Sequence, residues 1–580
     1  MKKIIILAIL CFFTSNLFLK ANYDEAIRAM KDEMQRSLTE LKIENLTKPY
    51  YIEYILTINN NNSVAAQSGA LKSNNTINNA KLSVKMRVGD YSFDNTNFLD
   101  FVISFFRMGA EDGGWINIQI PLDYDYNSLR RTLWLASDAA YKSAVETLSK
   151  KQAAIKNKII NDTTADFTKM KAVHFVDTLE NISYNHDKYV QICKNLSDMF
   201  TNSDAYSSLV TFEYNKERVI YLNSEGTQYI KDESNSGIEM SAFMQSNDGM
   251  PVMNFYSTYA LNPNNLPSQD SLKKASNSIV EKLGELANAP TLAEAYSGPI
   301  LFTSQAAGEL FSQVVISNFV AQRPLMTSMG KQQISEQTLN YQNKIGGRVL
   351  PEFLSVKAIP REEKINNQYL FGYYKYDDDG VKSQNVELVK NGYLKTLLTS
   401  RVPLKRIQES NGHNRNGGAI PSNIQMTSDK SHSKSYKQLK DKMISLCKDR
   451  DLPFGIVVKK IINRNVFYTG IMQISNSMFS SEYNKLTHPI EVYKVYPNGK
   501  EELIRGVILG SLSPQSFKDI ILVGNSNNIY NFLMYNVVED GTYNPSISPV
   551  SVIVPDMLFE DAEIKPNEND FPKLPFISQP

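Results

Sequence analysis

The stretch GPILFTSQAAGELFSQVVISNFVAQ, Gly298 to Gln322, decides how the second half of the chain is read. A proline and a short apolar run lead into a segment where Ala306, Leu310, Val314 and Phe319 recur near helical spacing. Ala307, Phe311 and Val315 form a second row beside them. Ser312, Gln313 and Ser317 sit between the rows. The spacing predicts a helix over Ser304–Gln322. Those three polar residues decide whether it carries chemistry or only packs.

Downstream of this helix the pattern turns to strands. Tyr369–Tyr376, Val386–Lys390 and Tyr393–Ser400 are read as consecutive strands, punctuated by Asp379-Gly380 and Asn391-Gly392. Glu491–Tyr496 and Glu501–Arg505 flank Pro497-Asn498-Gly499, and one helix is expected over Tyr436–Arg450. Upstream, Tyr23–Asn45 carries an apolar stripe of Ile27, Met30, Met34, Leu38 and Leu41. Tyr50 to Ile58 alternates as a strand, Asn59–Asn62 reads as a polar turn, and Ser63–Leu71 as a second strand. Leu82 to Val88 is a third strand, and Ser128–Lys156 a long helix. A short helix spans Asp187–Phe200, and Val210–Tyr214 with Val219–Leu222 reads as a hairpin. Gly237–Gln245 and Val252–Tyr259 flank the turn dipeptide Asp248-Gly249, and Ser271–Ala287 is a helix stopped by Pro290.

These patterns predict an α+β chain in parts: a leader over 1–21, one unit over 22–290, a β-rich unit over 297–565 and a proline-rich tail over 566–580. Lys2 and Lys3 precede the apolar run Ile4–Phe13, and Leu19-Lys20-Ala21 closes it, the form of a secretory signal peptide. Thr14, Ser15 and Asn16 interrupt the run short of the ~20 apolar residues that a membrane span needs, so no stable span is expected. The expected location is exported, periplasmic or associated with the cell envelope. With 62 basic and 61 acidic residues, the chain lacks the basic excess of a nucleic-acid binder. Cys193 and Cys447 remain after cleavage and read as two buried thiols, with one disulfide as the alternative.

No local motif supplies a catalyst. His174, His186, His413, His432 and His488 show no metal-binding spacing, and no HExxH, GxSxG, Walker or paired CxxC pattern occurs. Asp377-Asp378-Asp379-Gly380 lacks the other ligands of a calcium loop and reads as a solvated turn. Asn411–Gly418 is the best binding candidate, with Asn411, Gly412, His413 and Arg415 as peptide-binding candidates in a loop expected to be exposed. On that expectation, removing the His413 and Arg415 side chains would barely change stability.

RVGDYSFDNTNF (Arg87–Phe98), GPILFTSQAAGELF (Gly298–Phe311) and DDDGVKSQNVELVKNGYLKTLLTSR (Asp377–Arg401) occur in that order. SNGHNR (Ser410–Arg415), VYPNGKEELIRG (Val495–Gly506) and VSVIVPDMLFED (Val550–Asp561) follow. Together they resemble the TldD/PmbA proteins, also called modulators of DNA gyrase and classed as metallopeptidases. The exported, longer members are the most similar. The resemblance implies an N-terminal α/β unit with an antiparallel sheet and long helices, and a mostly β C-terminal unit curled around the Ser304–Gln322 helix. Active members hold zinc through HExxxH and a late cysteine, with the glutamate activating water. Here the matching positions are Ser312, Gln313 and Ser317, and no cysteine follows Cys447. The resemblance therefore implies no cofactor, a degenerate site, and a partner role. The chain would bind peptide or unfolded polypeptide, or form a homodimer or a heterodimer with a TldD-like catalytic homologue. An active metallopeptidase with displaced ligands and a structural homodimeric envelope protein are the alternatives.

Overall fold

The computed structural model describes residues 23–42, 46–99, 113–156, 164–179, 182–324, 326–327, 330–331, 341–466, 488–536, 546–568 and 571. The expected leader, most of the tail and the end of the first helix fall wholly or partly outside them.

The N-terminal sheet follows from simple alternation. Strands β1 (Pro49–Gln67) and β2 (Ala70–Val88) are each 19 residues long, roughly 60 Å at 3.3 Å per residue. Ile52, Tyr54, Leu56, Val64 and Ala66 all point to one face and are buried. Two helix pairs are needed to cover so long a face. Helix α1 (residues 23–40) and α2 (Tyr126–Lys156) cover one end. Helices α3 (His186–Asp198) and α4 (Gln269–Asn288) cover the other. With β3 (Trp115–Ile120), β4 (His174–Asp177), β5 (Ser207–Asn223), β6 (Gln228–Gln245) and β7 (Pro251–Ala260), the order is β3-β2-β1-β5-β6-β4, and β7 also pairs with β6. All pairs are antiparallel except β4 with β6. The opposite face presents Ile55, Thr57, Val219 and Lys231 toward the second half of the chain.

Three expectations are corrected here. Asn59–Asn62 is no turn: β1 runs straight through it, pairing Asn59 with Asn79 and Asn62 with Thr76. Asn side chains satisfy one another across the strands, as in Asn59 Nδ2 to Asn79 Oδ1 at 3.0 Å. The reversal comes at Ser68 and Gly69, both at positive φ. Val210–Leu222 is likewise one strand within β5, not a hairpin. Tyr369–Tyr376 forms only the strand end Gln368–Tyr369.

The second sheet is built around β8 (Tyr296–Phe302), which is flanked by β13 (Gly455–Ile461) in parallel and β17 (Ser546–Pro566) in antiparallel. Its further strands include β9 (Leu354–Ala358), β10 (Val386–Lys390), β11 (Tyr393–Leu394), β12 (Asn423–Ser428), β14 (Pro489–Val495), β15 (Glu501–Ile504) and β16 (Ile520–Asn536). The order is β11-β10-β9-β12-β17-β8-β13-β14-β15, with β16 on β17. Leu301, Val457 and Leu558 face helix α6 (Tyr436–Asp449) through Leu439 and Met443. Phe302, Val458 and Phe559 face the other way, onto helix α5 (Ser304–Val314) through Ala306, Leu310 and Phe311. The chain is α+β, with the C-terminal strands enclosing α5. Helix α5 is shorter than expected. It stops at Val314, and a 3₁₀ turn covers Ile316–Phe319, with Asn318 Nδ2 donating to the Val314 carbonyl at 2.9 Å.

Cys193 and Cys447 are both free and buried, one under α3 and one under α6. Burial pushes the Cys193 thiol up to about 12.

Close approach of α5 to β16 depends on Gly308. A Cβ there would lie 2.7 Å from the Cβ of Tyr530, whereas one at Gly284 in α4 would meet nothing. We expect Gly308→Ala to destabilise by about 1–3 kcal/mol through overpacking. Gly284→Ala should be neutral or stabilising by up to about 1 kcal/mol through helix propensity. Thermal melting of the two variants beside the parent checks both.

Candidate functional site

Helix α5 carries two of the three positions that the resemblance singled out, Ser312 and Gln313, and their side chains bond within the protein. Ser312 is buried and its Oγ donates to the Glu309 carbonyl at 2.8 Å. Gln313 Nε2 donates to Glu309 Oε1 at 2.6 Å and to the Ile462 carbonyl at 3.0 Å. Glu309 is 2% exposed, so its second oxygen also needs a donor, and the Tyr530 hydroxyl supplies it. Asn463 Nδ2 donates in turn to Tyr530 at 2.5 Å. Ser317 lies beyond the helix end, half-buried in the 3₁₀ turn. This set does not fit zinc. Two hydroxyls are poor ligands beside imidazole, and an amide cannot serve as a base. Among the described residues no three His, Cys, Asp or Glu side chains come together as a metal site would need.

The second candidate, Asn411–Gly418, lies against the Asp377–Gly380 turn, and the two form one polar corner. Asp377 accepts from the backbone N–H of Val381 at 2.8 Å, Asp379 at 3.0 Å and Asn414 at 3.0 Å. Asp378 accepts from Lys231 of β6 at 2.9 Å and from the Asn416 N–H at 2.6 Å. Asn414 Nδ2 donates to Asp379 Oδ2 at 2.7 Å. The corner is thereby tied to the N-terminal sheet, and Tyr229 adds a bond to the Asp378 carbonyl at 2.9 Å. Burial raises the Asp377 and Asp379 carboxyls above the usual range. Burial also opposes ionisation of Asp378, but Lys231, the Asn416 N–H and Arg415 together outweigh it and the net shift is downward.

Two expectations change. The aspartate turn is not solvated: Asp377 and Asp379 are buried, because backbone donors and Asn414 replace water around them. The glycine loop is not exposed either. His413 is fully buried, with Nδ1 bonded to the Asn411 side-chain oxygen at 2.9 Å and Nε2 left without a partner. Arg415 is 8% exposed, donates to the Pro549 carbonyl at 3.0 Å and lies over the Tyr374 ring. Gly412 sits at φ 77°, where a Cβ would strike the Lys382 carbonyl at 2.5 Å. Both side chains therefore belong to the packing. Between this corner and the outward face of β1, β2, β5 and β6 lies a cavity of about 260 Å³, lined by Arg415, Asn414 and Asp378 on one side and Lys81, Glu217 and Lys231 on the other.

Residues 295–566 match the family model for the PmbA/TldA metallopeptidase C-terminal domain. That stretch, just under half of the chain, carries the C-terminal domain of the TldD/PmbA family. A candidate modulator of a DNA gyrase from Thermotoga maritima superposes with a TM-score of 0.57 at 14% identity, over 92% of this chain and 100% of that one. TldE from Thermococcus kodakarensis gives 0.55 at 12% identity, over 93% and 100%. A candidate modulator of DNA gyrase from Bacteroides thetaiotaomicron gives 0.53 at 11% identity, over 93% and 98%. At such identities the likeness is one of fold. No curated protein matches the sequence. The chain thus has a TldD/PmbA-type, metallopeptidase-like fold, and among its described residues no helix is long and apolar enough to cross a membrane.

Lys231, Glu217 and Asn414 were not singled out from sequence. Lys231 and Glu233 show only as an alternating polar pair on a strand, and nothing local says that a loop about 150 residues on covers them. His413 yields a direct check. Burial pushes its imidazole down to about 3, against 6.5 when solvated. Between those values the unfolded chain binds the extra proton, so stability falls as pH drops below 6.5. We expect His413→Ala to melt well below the parent at pH 7, through the cavity it leaves. Its melting temperature should also fall less steeply than the parent's from pH 6.5 to 4. Melting curves across that range read both effects.

Proposed function

We propose that this TldD/PmbA chain is an exported, non-catalytic member of its family. It binds peptide or unfolded polypeptide and pairs with itself or with a TldD-like catalytic homologue. One observation carries the reading: Gln313, at the position of the family's general base, spends its amide N–H donors on Glu309 and the Ile462 carbonyl inside the protein. A side chain held in that way supports packing, and an amide cannot take a proton from a water nucleophile. Ser312 adds to this, since its hydroxyl is turned back onto its own helix. Likeness to TldE supports a partner role, and the form of residues 1–21 supports export.

The test is metal content together with activity. After mild chelation and dialysis, the purified protein should hold well under one equivalent of zinc by mass spectrometry. It should bind an unfolded polypeptide such as reduced, carboxymethylated casein without cleaving it. Stoichiometric zinc, with peptide hydrolysis lost on its removal, would instead establish an active peptidase with displaced ligands.

A further inference from the structure

The cavity under the Asp377–Gly380 corner has an unusual lining. Its floor is the outward face of the N-terminal sheet, where Glu217 and Glu233 stand directly opposite each other on β5 and β6. Like charges in that position repel. Glu233 has Lys231 at 2.7 Å, whereas Glu217 has only longer-range attraction from Lys231 and Lys81 to set against Glu233 and Asp378. The other cations of the wall are committed. Lys231 also serves Asp378, Lys85 serves Glu53 at 3.0 Å, and Arg415 serves the Pro549 carbonyl. From the roof, Asn414 is 9% exposed and gives its amide N–H to Asp379. The cavity therefore presents a carboxylate without a close cation, Glu217, beside its like-charged neighbour Glu233.

We propose that this cavity binds a protonated primary amine carried on an aliphatic chain, as in a lysine side chain. An ammonium group brings three donors and one positive charge, matching the Glu217 and Glu233 carboxylates of the floor and Asp379 of the roof. Ile55, Val219 and the Trp115 ring supply an apolar wall for the methylene stem. A metal ion fits worse, because among the described residues no three carboxylates converge on one point. Burial, then Glu233 and Asp378, push the Glu217 carboxyl up to about 7. The opening is real: Asn416 is exposed, and Glu217, Glu233 and Trp115 are half-buried at the rim. The inference rests on the polypeptide-binding reading only for where the amine comes from.

Trp115 and Trp134 are the two tryptophans of the chain, so a Trp134→Phe background makes Trp115 the reporter. We expect its emission to change saturably with cadaverine and with Nα-acetyl-lysine amide, and not with 1-pentanol or Nα-acetyl-norleucine amide. Glu217→Gln should weaken both amines at least tenfold at pH 8 without lowering the melting temperature. Equal responses to charged and neutral probes would overturn the proposal, as would unchanged affinity in Glu217→Gln or tighter binding of agmatine than of cadaverine. If free amines bind and no polypeptide does, the cavity stands and the polypeptide reading falls. If polypeptides with and without lysine bind equally, the reverse holds.

Discussion

Much of the C-terminal half depends on one close contact, the seating of Gly308 of α5 against Tyr530 of β16. At that distance the helix backbone lies nearly on the strand, and the next residue, Glu309, is carried into the interior as a carboxylate. A buried carboxylate is tolerable only when its oxygens are met by donors. Tyr530 and Gln313 meet them, Asn463 orients Tyr530, and Gln305 holds the end of β13 by a matched pair of bonds to Ile461 at 2.9 and 3.0 Å. Gln313, where the resemblance places the family's general base, is thus recruited into a polar core around one charge.

That helix was legible from sequence because its apolar rows repeat with the right period, and β8 was visible as the short run before it. The turns at Asp248-Gly249 and Asn391-Gly392 were legible because their chemistry is local: Gly249 at φ 92°, and Asn391 and Gly392 at 48° and 78°, adopt the left-handed backbone those residues accept. Asn59–Asn62 misled for the same reason. Asparagine runs favour turns locally, but tertiary pairing on both sides, to β2 and β5, keeps the strand extended. The end of α5 was missed because nothing in Val315–Gln322 breaks a helix by itself.

The polar corner shows the limit of local reading more plainly. Three aspartates, a glycine and an asparagine-rich loop look solvent-loving one at a time. In the fold they meet, and backbone N–H groups, Lys231 and Asn414 substitute for water. Composition cannot report this, because the partners lie in separate strands and loops. Composition offered Asn411, Gly412, His413 and Arg415 as binding candidates but could not say that His413 would be sealed inside.

The order of strands in the second sheet also bears on how the protein is made. β8 is among the first strands of its sheet to be synthesised, and one of its two neighbours, β17, is the last. Pairing Phe302 with Met557 spans some 255 residues of chain. Contacts of such separation form slowly, because a long loop must close before they contribute. On a ribosome, the apolar faces of β8 and α5 must wait, uncovered on one side, until residues 546–566 have emerged. The N-terminal sheet has no such debt to its C-terminus, so it is free to form first and stand as the surface on which the later half assembles.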